Sequence, residues 1–445
     1  MISKESLLQG IKKGFTNTMI TNVIIVGVVT LFVKGLGFAK EIVIADNFGL
    51  SELLDTFYVA VLIPSFMSNV FLGGFKSVFI PNYVFELQTG KQMGSFQSTC
   101  FLVTLGVSVF FCLVAILGTD VYLEFFFKGH TPEYYALVKM QFYIIIPAII
   151  FWGLSSMMTG LLNIDEEFMY SSMAPLFIAI AMIICVLFFK DELGNAVLSA
   201  GMLIGSIAGF LFLLVVSLKR KIISLAKPDF VSDNIRELFL QLPAKIAANI
   251  LSGANEIVDQ YFAATLIVGS IAALNYGVKI PMFTIGIVTI ALGNVLLPYF
   301  SKKVSENREK AFDELRRILK FVIIGSSVVA LFLVMISSPL VKLIFEHNAF
   351  KSSDTVIVSR IQQMYLLQIP AYIATILMVR FLESINKNSF MVLAALINLS
   401  LNILFNYLLI KSMGVYGLAL ATSLVAIIDG LILYFYINHL NKLNV

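Results

Sequence analysis

Long apolar runs alternate with short polar ones along almost the whole chain. A helix needs ~20 predominantly apolar residues to cross a bilayer. Runs of that kind centre on 19–38, 54–75, 98–119, 136–162, 169–189, 195–218, 238–267, 270–298, 319–341, 361–385, 389–410 and 415–437. The pattern predicts an all-α polytopic membrane protein of about twelve transmembrane helices, because only helices satisfy every backbone polar group within one crossing segment. Lys245, Glu256 and Asp259 interrupt the seventh run. Two mixed-charge amphipathic stretches, 224–237 and 301–318, are expected to lie as surface helices on the inner leaflet.

The pattern repeats. Ile63-Pro64 is followed by Ile80-Pro81, and Ile280-Pro281 by Leu297-Pro298, with a Pro-to-Pro spacing of 17 in both. Phe66 and Phe283 stand at the same offset, Phe168-Met169 matches Phe390-Met391, and the Gly194 region resembles the Gly414 region. An offset near 220 relates 1–222 to 223–445, with six spans in each half. Six is even, so both halves enter the membrane from the same side. This predicts two six-helix lobes related by a pseudo-two-fold axis along the membrane normal, with a substrate cleft between them.

Composition agrees with this picture. The 445 residues are 59% hydrophobic and 13% charged, with a mean hydropathy of +0.93, against about 25% charged in soluble domains. Cys100, Cys112 and Cys185 all fall in apolar runs and read as packing residues. The three histidines are scattered and form no metal pattern. No Walker A, HExxH or GxSxG motif occurs, so nothing points to an ATPase or hydrolase; the cleft between two lobes reads as that of a transporter, with no catalytic residues and no nucleic-acid partner expected. Met1–Asn17 is polar and does not resemble a cleavable signal peptide. With the N-terminus inside, nineteen Lys and Arg fall in cytoplasmic segments, counting Lys4, Lys12, Lys13, Lys76 and Lys91 among them, and about seven in the opposite loops. That asymmetry places both termini in the cytoplasm.

Charge at membrane depth is costly and usually functional. Lys34, Lys40 and Lys279 are candidates for substrate contact, since ammonium groups in a partly dry cavity suit a diphosphate. Snorkelling to an interface is the other reading. Lys34 and Lys40 are six apart and share no helix face, unless Gly35 and Gly37 break the helix. Asp55 and Glu41 either pair with these lysines or, for Asp55, cap a helix start. Asp259 with Asn402, Asn406 and Thr422 offers hard oxygen ligands for a small cation; interhelical hydrogen bonding by buried asparagines is the alternative. Arg380 and Glu383, three apart, are expected to pair. Asp429 has no role legible in the sequence.

These residues resemble the MurJ/MviN family, within the multidrug/oligosaccharidyl-lipid/polysaccharide exporter superfamily. The motifs are Val33-Lys34-Gly35-Leu36-Gly37-Phe38-Ala39-Lys40-Glu41, Ala45, Phe48-Gly49, the stretch from Asp55 to Ala60, and Phe79-Ile80-Pro81. In the second half they are Ala273-Leu274-Asn275-Tyr276 with Lys279, Ala291-Leu292-Gly293 through Leu296-Leu297-Pro298, Ile344-Phe345-Glu346 with Ala349-Phe350, and Leu418 to Ser423. The resemblance covers nearly the whole chain. It implies a flippase that carries lipid II, the undecaprenyl-diphosphate-linked peptidoglycan precursor, across a bacterial inner membrane. Lys34, Lys40 and Lys279 match its basic cavity residues, where the family usually has Arg, and Asp55 its acidic one. Asp259, Asn402, Asn406 and Thr422 match a sodium site found in some members. A coupling Na+ or H+, membrane lipids and cell-wall synthesis proteins are the partners it suggests. Three departures leave room for another undecaprenyl-linked glycan, such as an O-antigen, capsule or exopolysaccharide unit. Ser68-Asn69 stand where the family has Arg-Arg, Gly73-Gly74-Phe75 shortens an EGAF motif, and the family commonly has fourteen spans.

Overall fold

The computed structural model describes residues 18–89, 92–387 and 389–442, and all their side chains except those of 18–25 and 290–295. Lys4, Lys12, Lys13, Lys91 and the polar start at Met1–Asn17 lie outside the described residues, as do the side chains of Ala291, Leu292 and Gly293. The elements in chain order are α1 (Thr18–Phe48), α2 (Glu52–Met67), a π-helical turn (Ser68–Leu72), α3 (Gly73–Thr89), α4 (Met93–Leu117), α5 (Thr119–Phe126), α6 (Pro132–Ile145), α7 (Ala148–Ile164), α8 (Phe168–Phe188), α9 (Lys190–Leu193), α10 (Val197–Lys219), α11 (Asp233–Ala264), α12 (Ser270–Glu306), α13 (Arg308–Met335), α14 (Ser337–Phe345), α15 (Ser352–Leu366), α16 (Ile369–Ser384), α17 (Ser389–Met413) and α18 (Val415–Lys442). All are helical, as the apolar runs predict.

Ten of the resulting segments are long and apolar enough to cross a membrane. Several are joined pairs, such as α2–α3, α6–α7 and α15–α16. The helices α1 and α11 stand at the remaining first and seventh places of the expected order. The charges that interrupt α11 are those visible in the sequence. Large apolar side chains are exposed along these helices (Leu117 83%, Met335 76%, Phe188 71%), which suits a surface facing hydrocarbon rather than water.

The Pro–Pro element has nearly the same length in both halves: α2–α3 spans 38 residues and α12 spans 37. Pro64 and Pro81 lie inside the first copy, Pro281 and Pro298 inside the second. A helix interior proline removes a backbone donor, and the π turn at Ser68–Leu72 begins four residues after Pro64.

Two compact units emerge. One holds the residues up to Lys40, Pro64–Leu117 and Phe142–Ile246; the other holds Glu41–Ile63, Gly118–Gln141 and the chain from Ala247 onward. Short pieces of the first half, 41–63 and 118–141, thus cluster with the second half, and 223–246 with the first.

In the first unit, Phe79, Phe96, Met157 and Leu161 form a buried core with Ile235 and Leu238 from the start of α11. The pair α8–α10 packs through Gly201, Gly205 and Gly209. A Cβ on Gly205 would fall 2.4 Å from the Ile178 Cα, and one on Gly201 2.9 Å from the Met182 Cα. Small residues at four-residue spacing let backbones approach, which is how helices gain contact in lipid. Gly205→Val is therefore expected to lower stability by at least ~1–3 kcal/mol, the cost of overpacking a filled site; thermal denaturation of the purified protein measures it.

The stretch 224–237 does not form the expected surface helix. Residues 222–230 carry no helix, and α11 begins only at Asp233. Polar side chains at the start of α4 hold this strap. Gln97 donates to the Ile222 carbonyl (3.0 Å) and accepts from the Ser224 N–H (2.8 Å). Ser98 accepts from Ala226, Ser95 donates to the Lys227 carbonyl, and Thr99 bonds both backbone groups of Asp229. Backbone groups satisfied in this way do not need a helix. The stretch 301–318 is helical, but as the end of α12 and the start of α13 rather than as a separate surface helix.

Candidate functional site

The second unit gathers most of the charged residues singled out above. The turn after α1 reverses at Gly49, whose φ is +51°, and a Cβ there would lie 2.5 Å from the Ala349 carbonyl oxygen. Only glycine fits both demands. Beside it, the Ala349 N–H donates to the Asp46 carbonyl (3.0 Å) and Asn348 Nδ2 to Asp46 Oδ1 (2.7 Å). The 346–352 loop is itself braced at Glu346, which accepts from Thr355 (2.6 Å) and Ser352 (3.0 Å). The Thr355 hydroxyl, more than any other neighbour, holds that carboxyl below the usual carboxylate range.

Asp55 opens the second span, yet among the described residues it pairs with no lysine, and it does not cap its own helix. Its side chain is 2% exposed. The Gly269 N–H donates to Oδ2 (2.5 Å) and the Ala272 N–H to Oδ1 (2.7 Å). Asp55 thus caps the N-terminus of α12, more than two hundred residues further along the chain. The first N–H groups of a helix lack internal partners and carry partial positive charge, so a carboxylate there is doubly suited. Gly269, with φ +94°, turns the chain into α12 under the Leu50 carbonyl. The neighbouring Thr56 accepts from Gln141 Nε2 (2.8 Å), and His130 Nε2 lies 2.9 Å from the Ala264 carbonyl. These contacts form a clasp between 41–63, 118–141 and 264–272.

Glu41 does meet a lysine. The Lys279 ammonium lies 3.0 Å from Glu41 Oε1, and the Tyr58 hydroxyl donates to Oε2 at 3.4 Å. The Glu41 side chain is 8% exposed and that of Lys279 is 25%, so the pair is largely withdrawn from solvent.

Lys34 and Lys40 lie on α1, in the first unit. The expected break at Gly35 and Gly37 is absent: α1 runs unbroken from Thr18 to Phe48. A continuous helix turns ~100° per residue, so the two lysines point roughly 120° apart. Lys34 is exposed and Lys40 half-buried. Lys76, counted from the sequence among the cytoplasmic segments, sits half-buried inside α3.

The cation candidates come together as their spacing suggested. Asn402 and Asn406, one turn apart on α17, both donate to Asp259 Oδ1, at 3.0 and 2.7 Å. Thr422 on α18 donates to Oδ2 at 3.4 Å, and Asn406 donates to Asn402 Oδ1 at 3.2 Å. Asn402 and Asn406 are 2% and 0% exposed, and the buried Oδ1 of Asn406 has no hydrogen-bond partner. An unsatisfied buried acceptor next to a carboxylate fits a small hard cation. Glu256 and Lys245, on the same helix, are exposed, and Glu256 stands one turn before Asp259. Arg380 and Glu383 pair at 2.7 Å as expected. Sequence reasoning missed Asp429, whose Oδ1 accepts from Asn398 Nδ2 at 2.8 Å. Asn398 lies one turn before Asn402 on the same helix, and that i, i+4, i+8 series was the available signal.

Comparison with known proteins follows the same lines. Residues 44–443 match the family model described as Lipid II flippase MurJ. The probable lipid II flippase MurJ of Buchnera aphidicola subsp. Schizaphis graminum (strain Sg) is 25% identical over 426 residues, spanning 94% of this chain and 82% of that protein. The lipid II flippase MurJ of Thermosipho africanus (strain TCF52B) is 27% identical over 417 residues, spanning 93% and 84%. A solved structure of a lipid II flippase MurJ in an inward closed conformation superposes with a TM-score of 0.80 at 26% identity, covering 93% of this chain and 87% of that one. An inward-facing multidrug resistance MATE family transporter shares the fold, with a TM-score of 0.74 at 11% identity over 94% and 98% of the two chains. The match over 44–443 takes in both halves, the clasp and the Asp259 cluster, and the chain belongs to the lipid II flippase MurJ family.

Proposed function

We propose that this multi-pass membrane protein moves lipid II from the inner to the outer leaflet of a bacterial inner membrane by alternating access. The observation that carries the reading is the family match across 44–443. Both termini lie in the cytoplasm, and the repeats 1–222 and 223–445 act as the two lobes. Lys279 contacts the diphosphate, Asp55 holds the clasp, and the polyprenyl tail stays in lipid; Lys34 and Lys40, on different faces of an unbroken α1, do not meet it together. No bond is made or broken; the work is binding and release. Lys279 enters that work already occupied by Glu41, so a diphosphate oxygen exchanges with the carboxylate for the ammonium. An exchange of this kind keeps the empty site near neutrality and lets the bound anion leave again.

In this reading the clasp at Asp55, Asp46 and Gly269 lies on the outer side and must open and re-form in each cycle. Asp259, Asn402, Asn406 and Thr422 hold a coupling Na+. A bound Na+ supplies positive charge beside Asp259, where lipid would otherwise disfavour an ionised carboxylate. Moving one net charge across 100 mV is worth ~2.3 kcal/mol, enough to bias a cycle.

Depletion of the resident lipid II flippase in a host bacterium tests the assignment. Expression of this chain is expected to restore growth and shape. Failure there, with rescue of an O-antigen or capsule flippase defect instead, would assign the other undecaprenyl-linked cargo. Asp259→Asn is expected to abolish tight Na+ binding by the purified protein while leaving it folded.

A further inference from the structure

A cavity of about 500 Å3 opens in the second unit beside the Asp259 cluster. Its lining includes Asp259, Arg380, Glu383, Asn398, Asn402 and Asp429. Three carboxylates face one guanidinium there, and Arg380 is already paired with Glu383. A concave site with excess negative charge concentrates cations. Two tiers of ligands share this space. The first is Asp259 with Asn402, Asn406 and Thr422. The second is Asp429, which accepts from Asn398 Nδ2, while Asn398 Oδ1 is buried without a hydrogen-bond partner.

The tiers are offset along the helices in one direction. Asn398 precedes Asn402 by four residues on α17, and Asp429 follows Thr422 by seven on the antiparallel α18, so both steps run toward the same end. At a rise of 1.5 Å per residue the offset is roughly 6–10 Å. Continuing that way, the lining reaches the half-exposed Arg380–Glu383 pair, 37% and 24% exposed, near the end of α16. The cavity therefore runs from a buried carboxylate to an accessible charged rim.

We propose that Asp429 and Asn398 form a second, weaker binding position for a small monovalent cation, through which the ion passes between the Arg380–Glu383 rim and Asp259. This rests on the reading of the Asp259 cluster as the coupling site. Asp429 and the unpaired Asn398 oxygen are oxygen donors of the type Na+ takes, and the cavity volume leaves room for part of its water shell.

Binding of 22Na+ to the full chain in lipid nanodiscs, at fixed pH, tests the proposal. The wild type is expected to bind one tight and one weak equivalent. Asp429→Asn should remove the weak equivalent and slow exchange at the tight one at least fivefold, and Asp429→Glu should keep both. Asp259→Asn should remove the tight equivalent and leave the weak one. Unchanged stoichiometry and exchange in Asp429→Asn would overturn the second position. So would loss of all binding in Asp429→Asn while the protein melts like wild type, since that result describes one shared site. Binding untouched by Asp259→Asn but lost in Asp429→Asn would instead remove the Asp259 reading and leave Asp429 as the site. A wild type that binds no Na+ would overturn both.

Discussion

Asp55→Ala is expected to abolish complementation and to destabilise the purified protein by ~2–6 kcal/mol, since two buried N–H groups lose their acceptor at ~1–3 kcal/mol each. The groups are the Gly269 and Ala272 N–H donors at the start of α12. Water cannot easily replace the carboxylate, because Asp55 is 2% exposed. Asp55→Asn separates charge from hydrogen bonding. Its amide oxygen can accept one of the two bonds, but its NH2 then faces the other donor. It should fall between Ala and wild type in thermal denaturation and stay near Ala in transport, if the clasp must re-form quickly. An Asp55→Ala protein that melts like wild type would show that the α12 start finds other partners, and would remove Asp55 from the clasp.

The role of Asp55 also marks the limit of what the sequence makes legible. An acid at the start of a span announces helix capping, and that chemistry is what the structure shows. Which helix is capped depends on a backbone more than two hundred residues away, and backbone donors leave no trace in side-chain pattern. The Asp259 cluster was easier. Asn402 and Asn406 lie one turn apart on an otherwise apolar helix, and Asp259 interrupts another, so hydrophobic pattern alone exposes both sides of the contact.

Gly35 and Gly37 misled for a physical reason. In water a pair of glycines weakens a helix, but in lipid the backbone has no competing partner and α1 stays intact. The stretch 224–237 reads as a surface helix because it is amphipathic with mixed charge, and its first residues form the strap instead. Its fate was settled instead by Ser95, Gln97, Ser98 and Thr99 at the start of α4, polar residues whose partners the local sequence could not show. The proline spacing of 17, by contrast, is legible in the sequence, and both proline pairs fall inside helical elements of 38 and 37 residues.

Lys279 gives the second large effect, and its partner makes the result interpretable. Removing the ammonium alone takes the Lys279 counter-charge from the buried Glu41 carboxylate, and deleting one member of a buried ion pair costs ~3–5 kcal/mol. Lys279→Ala should therefore lose both stability and transport, and the loss of transport alone would prove nothing about substrate. Glu41→Gln should retain a fold, because the neutral amide still accepts from Tyr58 and leaves Lys279 half-solvated at 25% exposure. The double variant Glu41→Gln/Lys279→Ala is the informative one. It has no uncompensated charge, so its melting temperature should recover most of the Lys279→Ala deficit. If Lys279 binds the diphosphate, transport in the double variant stays at least ~10-fold below wild type despite the recovered fold, the loss of one charge-assisted bond of ~1.5–3 kcal/mol. If Lys279 serves only to neutralise Glu41, stability and transport return together. Thermal denaturation and flippase complementation, measured on the same four proteins, separate a substrate ligand from a structural counter-ion.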